Sequence, residues 1–334
     1  MTVAKSSAID QPRLLSQHLP ILIIGSLVVG LITGALIRAM PASSGSAAIV
    51  DGFDIIGTMW VNAIRMTVIP LIVPLLIASI ASAKSGRDAG RLTMGGGVGI
   101  SQPARFRVAT ENTRFAMPET GIGLFPDVGG GWYLSRLEGR VGQFLALTGT
   151  RLDGAECVSL GLATHYLPAE AVANAKARIA FEDVERIDGI LGTLSETPQE
   201  ARILGSIRHI NRHFASDRFE DILGSLEGDD SGWAMKELAT LRSKSPQSCK
   251  VALRQLAKGA AFTYFADNMA MEYRIGSRVL LRPDFAEGVR AVIVDKDNEP
   301  KWDHAMPEGV TDELLDAIFA PLPATEEWKP LCNS

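Results

Sequence analysis

Cysteine is scarce in this chain: Cys157, Cys249 and Cys332 are the only three in 334 residues. They stand far apart without paired spacing, which excludes a disulfide framework and a cysteine-built zinc site and fits reduced, isolated thiols in a cytoplasmic domain. Histidine is nearly as rare, with five. The nearest pair, His209 and His213, sits at i, i+4, but the spacing shows no acidic third ligand, so no metal is expected; His165 reads as the end of a strand and His304 as a polar loop or helix residue. Excess positive charge is missing beyond Leu92. Up to that point seven Lys/Arg face four Asp/Glu, net +3, and the remainder carries 26 against 34, net −8. An acidic C-terminal part argues against a nucleic-acid partner, while a basic, apolar N-terminal part suits a lipid setting.

Long apolar runs are also missing after Ala83, but two precede it. Leu19 to Ile37 carries no charge and is long enough to cross a bilayer. Phe53 to Ala83 is interrupted by Asp54 and Arg65, and contains Pro70 and Pro74, which neighbouring helices can accommodate in a membrane. A cleaved secretory signal is the rival reading of the first run, but the run is too long and a second follows. Lys5 and Arg13 precede the first run, and Lys84, Arg87 and Arg91 follow the second. The positive-inside rule then puts both ends in the cytoplasm. The hydrophobic content of 46% and mean hydropathy of +0.14 agree with a chain that is part membrane protein.

Chemistry concentrates between Met94 and Gly131. Gly95, Gly96 and Gly97 remove every side chain from one turn of backbone, so a ligand can approach the main-chain N–H groups. Two strand-like stretches follow, Arg105 to Ala109 and Arg114 to Met117. They lead into two carboxylates that each follow a proline, Glu119 in Met-Pro-Glu-Thr and Asp127 in Phe-Pro-Asp-Val. Backbone donors beside two carboxylates are what acyl transfer needs, the donors for a developing oxyanion and the acids for proton handling or attack. Taken singly the parts are ordinary: a glycine turn, a solvated turn acid at Glu119 and a helix N-cap at Asp127.

The segments MGGGVGIS, RFRVAT, FAMPETGIGLFPDVGGGWYLSRL, LALTG and GLATHYLP resemble the crotonase superfamily, and within it the 3-hydroxyisobutyryl-CoA hydrolase family. The resemblance implies that Gly96, beside Gly95, is the oxyanion glycine, Glu119 the catalytic carboxylate and Asp127 its partner near the substrate hydroxyl. Hydratases of that superfamily place a second glutamate three residues after the oxyanion glycine, and Gly99 stands there in this chain. Hydrolysis of a short 3-hydroxyacyl-CoA thioester is therefore expected over hydration, with no cofactor beyond the CoA carried by the substrate. The other end differs. Phe53 to Leu92, with IRMTVIPLIVPLLIASIAS and GRDAGRL, resembles the first membrane helices of the dicarboxylate/amino-acid:cation symporter family, without the later elements that would carry substrate and sodium.

The expected fold class is thus α/β. Residues 93–334 form a truncated crotonase-like domain, lacking its N-terminal half and with a helical C-terminal part. A two-helix transmembrane hairpin precedes it within residues 1–92, running from residue 14. Expected partners are a 3-hydroxyacyl-CoA, a lipid bilayer at the cytoplasmic membrane and further copies of the chain. Alternatives are a non-catalytic membrane protein of symporter descent and an inactive fusion. In the C-terminal part, helices are expected over Ala169 to Leu191, Gln199 to Leu226, Pro246 to about Ala257 and Phe262 to Leu281, and Asp284 is expected to cap another.

Overall fold

The computed structural model describes residues 96–330, which belong to one compact unit of the chain. The two candidate membrane spans, the loop between them and Gly95 lie outside the described residues. Among the described residues no helix is long and apolar enough to cross a membrane.

The described region is mostly helical. It opens with α1 (Gly96–Ser101) and β1 (Val108–Ala109), then a 3-10 turn at Glu119–Ile122. Helices α2 (Gly130–Leu134), α3 (Val141–Thr148) and α4 (Gly154–Ser159) follow and lead to β2 (His165–Tyr166). Strands β1 and β2 pair in parallel, Val108 opposite His165 and Ala109 opposite Tyr166. A parallel pair needs a crossover, which here is the whole α2–α4 segment. The α/β expectation is met only by this two-stranded sheet among the described residues. Both strand predictions were too long: Arg105 to Ala109 is reduced to β1, and Arg114 to Met117 to a single antiparallel bridge between Phe115 and Leu152. Extended backbone counts as sheet only where a partner meets it, and the described partners are this short.

Helices then dominate: α5 (Ala171–Ile179), α6 (Val184–Leu194), α7 (Ile207–His213), α8 (Phe219–Glu227) and α9 (Gly232–Arg242), with a 3-10 turn at Arg202–Ser206. The expected helix over 169–191 is broken at residues 180–183, where Phe181 is 96% exposed and has nothing to pack on. The one expected over 199–226 is broken after His213. There Arg140 donates to the carbonyls of Phe214 and Ala215, so those groups have a partner outside the helix.

Helix α10 (Pro246–Ala261) is the wall shared by two apolar clusters. Ser245 caps it by accepting from Ser248 N–H at 3.0 Å, with Pro246 at the first helical position as expected, and it runs four residues beyond the expected end at Ala257. Cys249, Ala252, Leu253 and Leu256 face the larger cluster with Phe144, Leu145 and Phe214, and Val251 faces a smaller one with Phe125, Met271 and Ile275. Burying each large side chain contributes about 1.5–3 kcal/mol, so α10 gains on both faces. Its close approach to α2 rests on glycine: a Cβ at Gly259 would lie 2.4 Å from the Gly131 carbonyl oxygen.

Helix α11 (Phe265–Val279) packs beside it, followed by α12 (Pro283–Val289), a π-turn at Arg290–Val294 and α13 (Asp312–Phe319), which Thr311 caps. Asp284 does not cap α12; Arg282 holds the cap position and Pro283 the first turn. The Asp284 carboxylate is buried instead, accepting from Ser245 Oγ and from Asp303 N–H, and so ties α12 to the start of α10. Cys157 and Cys249 are buried free thiols.

Candidate active site

Glu119 opens the 3-10 turn that follows Met117 and Pro118. The next residue anchors this turn: Thr120 Oγ1 donates to the Leu147 carbonyl at 3.0 Å, and the Thr120 carbonyl accepts from Ser245 N–H at 3.1 Å. The turn is thereby wedged between the end of α3 and the cap of α10. Glu119 is only 5% exposed, and its Oε2 has no hydrogen-bond partner among the described residues. It is not the solvated turn acid of the ordinary reading. Burial pushes its carboxyl up to about 8, partly offset by its own backbone N–H, and the charge of Asp127 adds to the rise.

Asp127 is half-buried, and burial raises its carboxyl above the usual range as well. It is not the α2 N-cap, a position held by Gly129. Its carbonyl accepts from Gly130 N–H at 2.8 Å in a tight turn, where Val128 has a φ of 51°. A β-branched residue in the left-handed region is held there only by its surroundings. Glu272 on α11 supplies them. Its carboxylate accepts from Gly129 N–H at 2.7 Å, Gly131 N–H at 3.0 Å, Gln255 Nε2 at 3.0 Å and Asn268 Nδ2 at 2.8 Å. Burial raises Glu272 to about 6, below Glu119, because these donors favour its charged form. Sequence reasoning gave Glu272 no role, and its one signal was its place in a Met-Glu-Tyr-Arg segment.

The glycines frame the other side. Gly96 is exposed in the first turn of α1, whose leading N–H groups have no helical partner, and it makes no hydrogen bond to either carboxylate. Gly99 lies against the Asp127 turn, and a Cβ there would come within 2.5 Å of Val128 Cβ. Helix α1 is therefore seated on the turn that carries Asp127, and no carboxylate side chain fits at 99 without displacing Val128. Beside the turn an apolar cavity of about 240 Å³ is lined by Leu124, Phe125, Asp127, Val128, Tyr273 and Trp328, among others. Lys244 stands near the Glu119 turn, its Nζ 3.3 Å from where a Gly121 Cβ would lie, and burial lowers its ammonium. Asp127 and Val128 line this recess and Gly99 packs on the same turn, whereas Glu119 is linked to Asp127 by the charge between them and is not among the residues that line the recess.

Residues 90–319 match the model of the enoyl-CoA hydratase/isomerase family, and the chain belongs to that family. Its described part has the crotonase fold. The superposition on a carnitinyl-CoA dehydratase from Mycobacterium thermoresistibile gives a TM-score of 0.65 at 30% identity, covering 75% of this chain and 79% of that one. An enoyl-CoA hydratase from Rhodobacter sphaeroides gives 0.64 at 34% identity, covering 70% and 67%. Among curated relatives, the mitochondrial 3-hydroxyisobutyryl-CoA hydrolase of Gallus gallus is 44% identical over 239 residues, which are 69% of this chain and 62% of the relative. The chain therefore spans less than two thirds of the length of that relative. Residues 19–99 match the sodium:dicarboxylate symporter family model, so the two matches overlap at residues 90–99.

The fold adds a neighbour that the spacing of the histidines does not show. His209 and His213 do have an acidic neighbour, for Asp229 Oδ2 lies 3.1 Å from His213 Nε2. The two residues are 16 apart in sequence, and the turn after α8 closes that gap.

Proposed function

We propose that residues 93–334 hydrolyse a short 3-hydroxyacyl-CoA thioester, with 3-hydroxyisobutyryl-CoA as the favoured substrate. Glu119 activates water or attacks the thioester carbonyl, the Gly96 N–H, with Gly95 beside it, stabilises the oxyanion, and Asp127 positions the 3-hydroxyl. The carrying observation is the buried, partly unpartnered Glu119 beside Asp127, in a chain 44% identical to a hydrolase of that name. Hydration is disfavoured because Val128 occupies the space beside Gly99 that a second carboxylate would need.

We further propose that the N-terminal segment holds this domain at the cytoplasmic face of a membrane, a reading supported by the symporter-family match and the two apolar stretches. Transport by this chain is not proposed, since no third apolar run follows Ala83. The catalytic test uses the purified full-length chain in detergent, following free thiol release from 3-hydroxyisobutyryl-CoA and, separately, loss of the enoyl chromophore of crotonyl-CoA. Thiol release that is lost in Glu119→Gln and reduced in Asp127→Asn supports the reading. Enoyl hydration, or thiol release that survives Glu119→Gln, overturns it.

A further inference from the structure

Away from the Glu119 site, α7 and the turn after α8 bring together residues that the proposed chemistry does not use. His209 and His213 lie one turn apart on α7, so both imidazoles leave the same face. Their rings are nearly parallel, 5° between planes with centroids 6.3 Å apart, and Trp233 stacks on both. Asp229 enters from the neighbouring turn. Its Oδ1 is fixed by Ser231 N–H at 2.8 Å, which leaves Oδ2 directed at His213 Nε2 at 3.1 Å. One ligand atom from each of His209, His213 and Asp229 lies within 4.8 Å of the others.

The hydrogen bonding around His213 has room for a cation at this point. Its Nδ1 lies 3.1 Å from the Ser225 carbonyl, a group that can only accept, and 2.9 Å from Ser225 Oγ. With Nδ1–H donated to that carbonyl the Nε2 lone pair faces the carboxylate and a cation between them completes the arrangement; with Ser225 Oγ donating into Nδ1, Nε2–H donates to Asp229 instead. Metal-bound histidines are commonly held in the first way, with the far ring nitrogen donating to a backbone carbonyl. A simple imidazole–carboxylate hydrogen bond would account for His213 and Asp229 alone. It leaves out His209, whose ring nitrogens make no hydrogen bond to any described residue although the ring is half-buried on the same face.

We propose that His209, His213 and Asp229 form a binding site for a borderline transition-metal dication of the zinc class, linking α7 to the turn after α8. Two imidazoles and a carboxylate suit such an ion better than calcium or magnesium, which prefer all-oxygen shells. Tetrahedral zinc with bonds of about 2.0–2.1 Å sets neighbouring donors roughly 3.3 Å apart, so the His213–Asp229 pair already has the required separation. His209 has only to swing inward. Arg212 is the competitor: its Nη1 lies 3.4 Å from Asp229 Oδ2, and its side chain, 67% exposed, is free to leave.

The test uses full-length, untagged protein stripped with a chelator and titrated with Co2+, followed by visible ligand-field absorption and then by displacement with Zn2+. One Co2+ per chain is expected. Affinity should fall by about 100-fold in His209→Ala and in Asp229→Asn, both half-buried positions outside the apolar core clusters, since each removes a direct ligand. Arg212→Ala should bind a few-fold more tightly, because a positive charge leaves the site. His304→Ala should match the parent, and Zn2+ should raise the unfolding temperature of the parent but not of Asp229→Asn. Absence of Co2+ binding in the parent, or binding that His209→Ala and Asp229→Asn leave unchanged, overturns the proposal. None of these readouts uses thioester hydrolysis.

Discussion

Two buried glutamates act on the Asp127 turn, one through hydrogen bonds and one through charge, and have opposite surroundings. Glu272, 4% exposed, has four donors on its carboxylate, two of them the backbone amides of Gly129 and Gly131. Glu119, 5% exposed, has an oxygen with no described partner and a like charge nearby in Asp127. Burial pushes both carboxyls up, but the first reaches only about 6 and the second about 8. Donors turn a buried carboxylate into a strut. Their absence leaves a group whose carboxylate, the form that activates water or attacks a carbonyl, is populated only as pH rises towards about 8.

Removing the strut should have the largest effect. Glu272→Ala strands the Gly129 and Gly131 amides together with the side chains of Gln255 and Asn268, and unfolding in urea should show a loss of about 3–5 kcal/mol. Glu272→Gln keeps one acceptor and should cost less. An unchanged midpoint in Glu272→Ala would mean that the turn holds itself and that the contrast between the two acids is false.

Glu119 should behave in the opposite sense. Its folded value lies above its ordinary value of 4.5, so the folded state holds the proton more tightly than the unfolded chain. Its contribution to stability is then greatest below pH 4.5, declines as pH rises through the window from 4.5 to about 8, and is level above it. Glu119→Gln removes that decline. At pH 9 it should be more stable than the parent by up to about 3–5 kcal/mol, and at pH 4 nearly equal to it. Urea midpoints across that pH range provide the check, and parallel curves would contradict it.

A smaller effect is expected where α1 meets the turn. Gly99→Ala places a methyl group against Val128, whose own backbone is already in the left-handed region, and should cost about 1–3 kcal/mol. Val128→Gly made together with it should recover most of that loss, because it removes the clashing side chain and accepts the positive φ. If the double variant is no more stable than Gly99→Ala, the packing of α1 on the Asp127 turn is not the cause.

Smallest in energy, but informative on placement, is a labelling experiment on the proposed membrane arrangement. A cysteine introduced at Ser44 should react with an impermeant reagent from outside intact cells, and one introduced at Ser243 should not. The reverse pattern would contradict a cytoplasmic hydrolase domain.

The contrast between the two acids also marks what could be read from the sequence. Glu119 and Asp127 stand eight residues apart in a continuous motif, so resemblance alone was enough to single them out. Glu272 could not be found in that way. It meets Gly129 from 143 residues further along the chain, and no local pattern announces such a contact. Asp229 was missed for the same reason, since a metal-ligand search by spacing along α7 does not see a residue that folds back from the next turn. Helix α10 was legible from Ser245 and Pro246, because capping and proline placement are local. The strands were overestimated because residue preference proposes an extended segment, whereas pairing decides how much of it becomes sheet. Asp284 was misplaced by one such local rule: it stands where a cap is plausible, but its carboxylate is taken by Ser245 and Asp303 from other elements.

The account rests on Glu119 being a buried acid that titrates near neutral pH. Infrared difference spectra of the full-length chain, taken from pH 4 to pH 10 and compared with Glu119→Gln, measure this directly. The account predicts that the parent retains a protonated carboxyl band through pH 7, that the band disappears around pH 8, and that it is missing from Glu119→Gln. A Glu119 band lost near pH 4.5, together with the rest of the carboxylates, would contradict it.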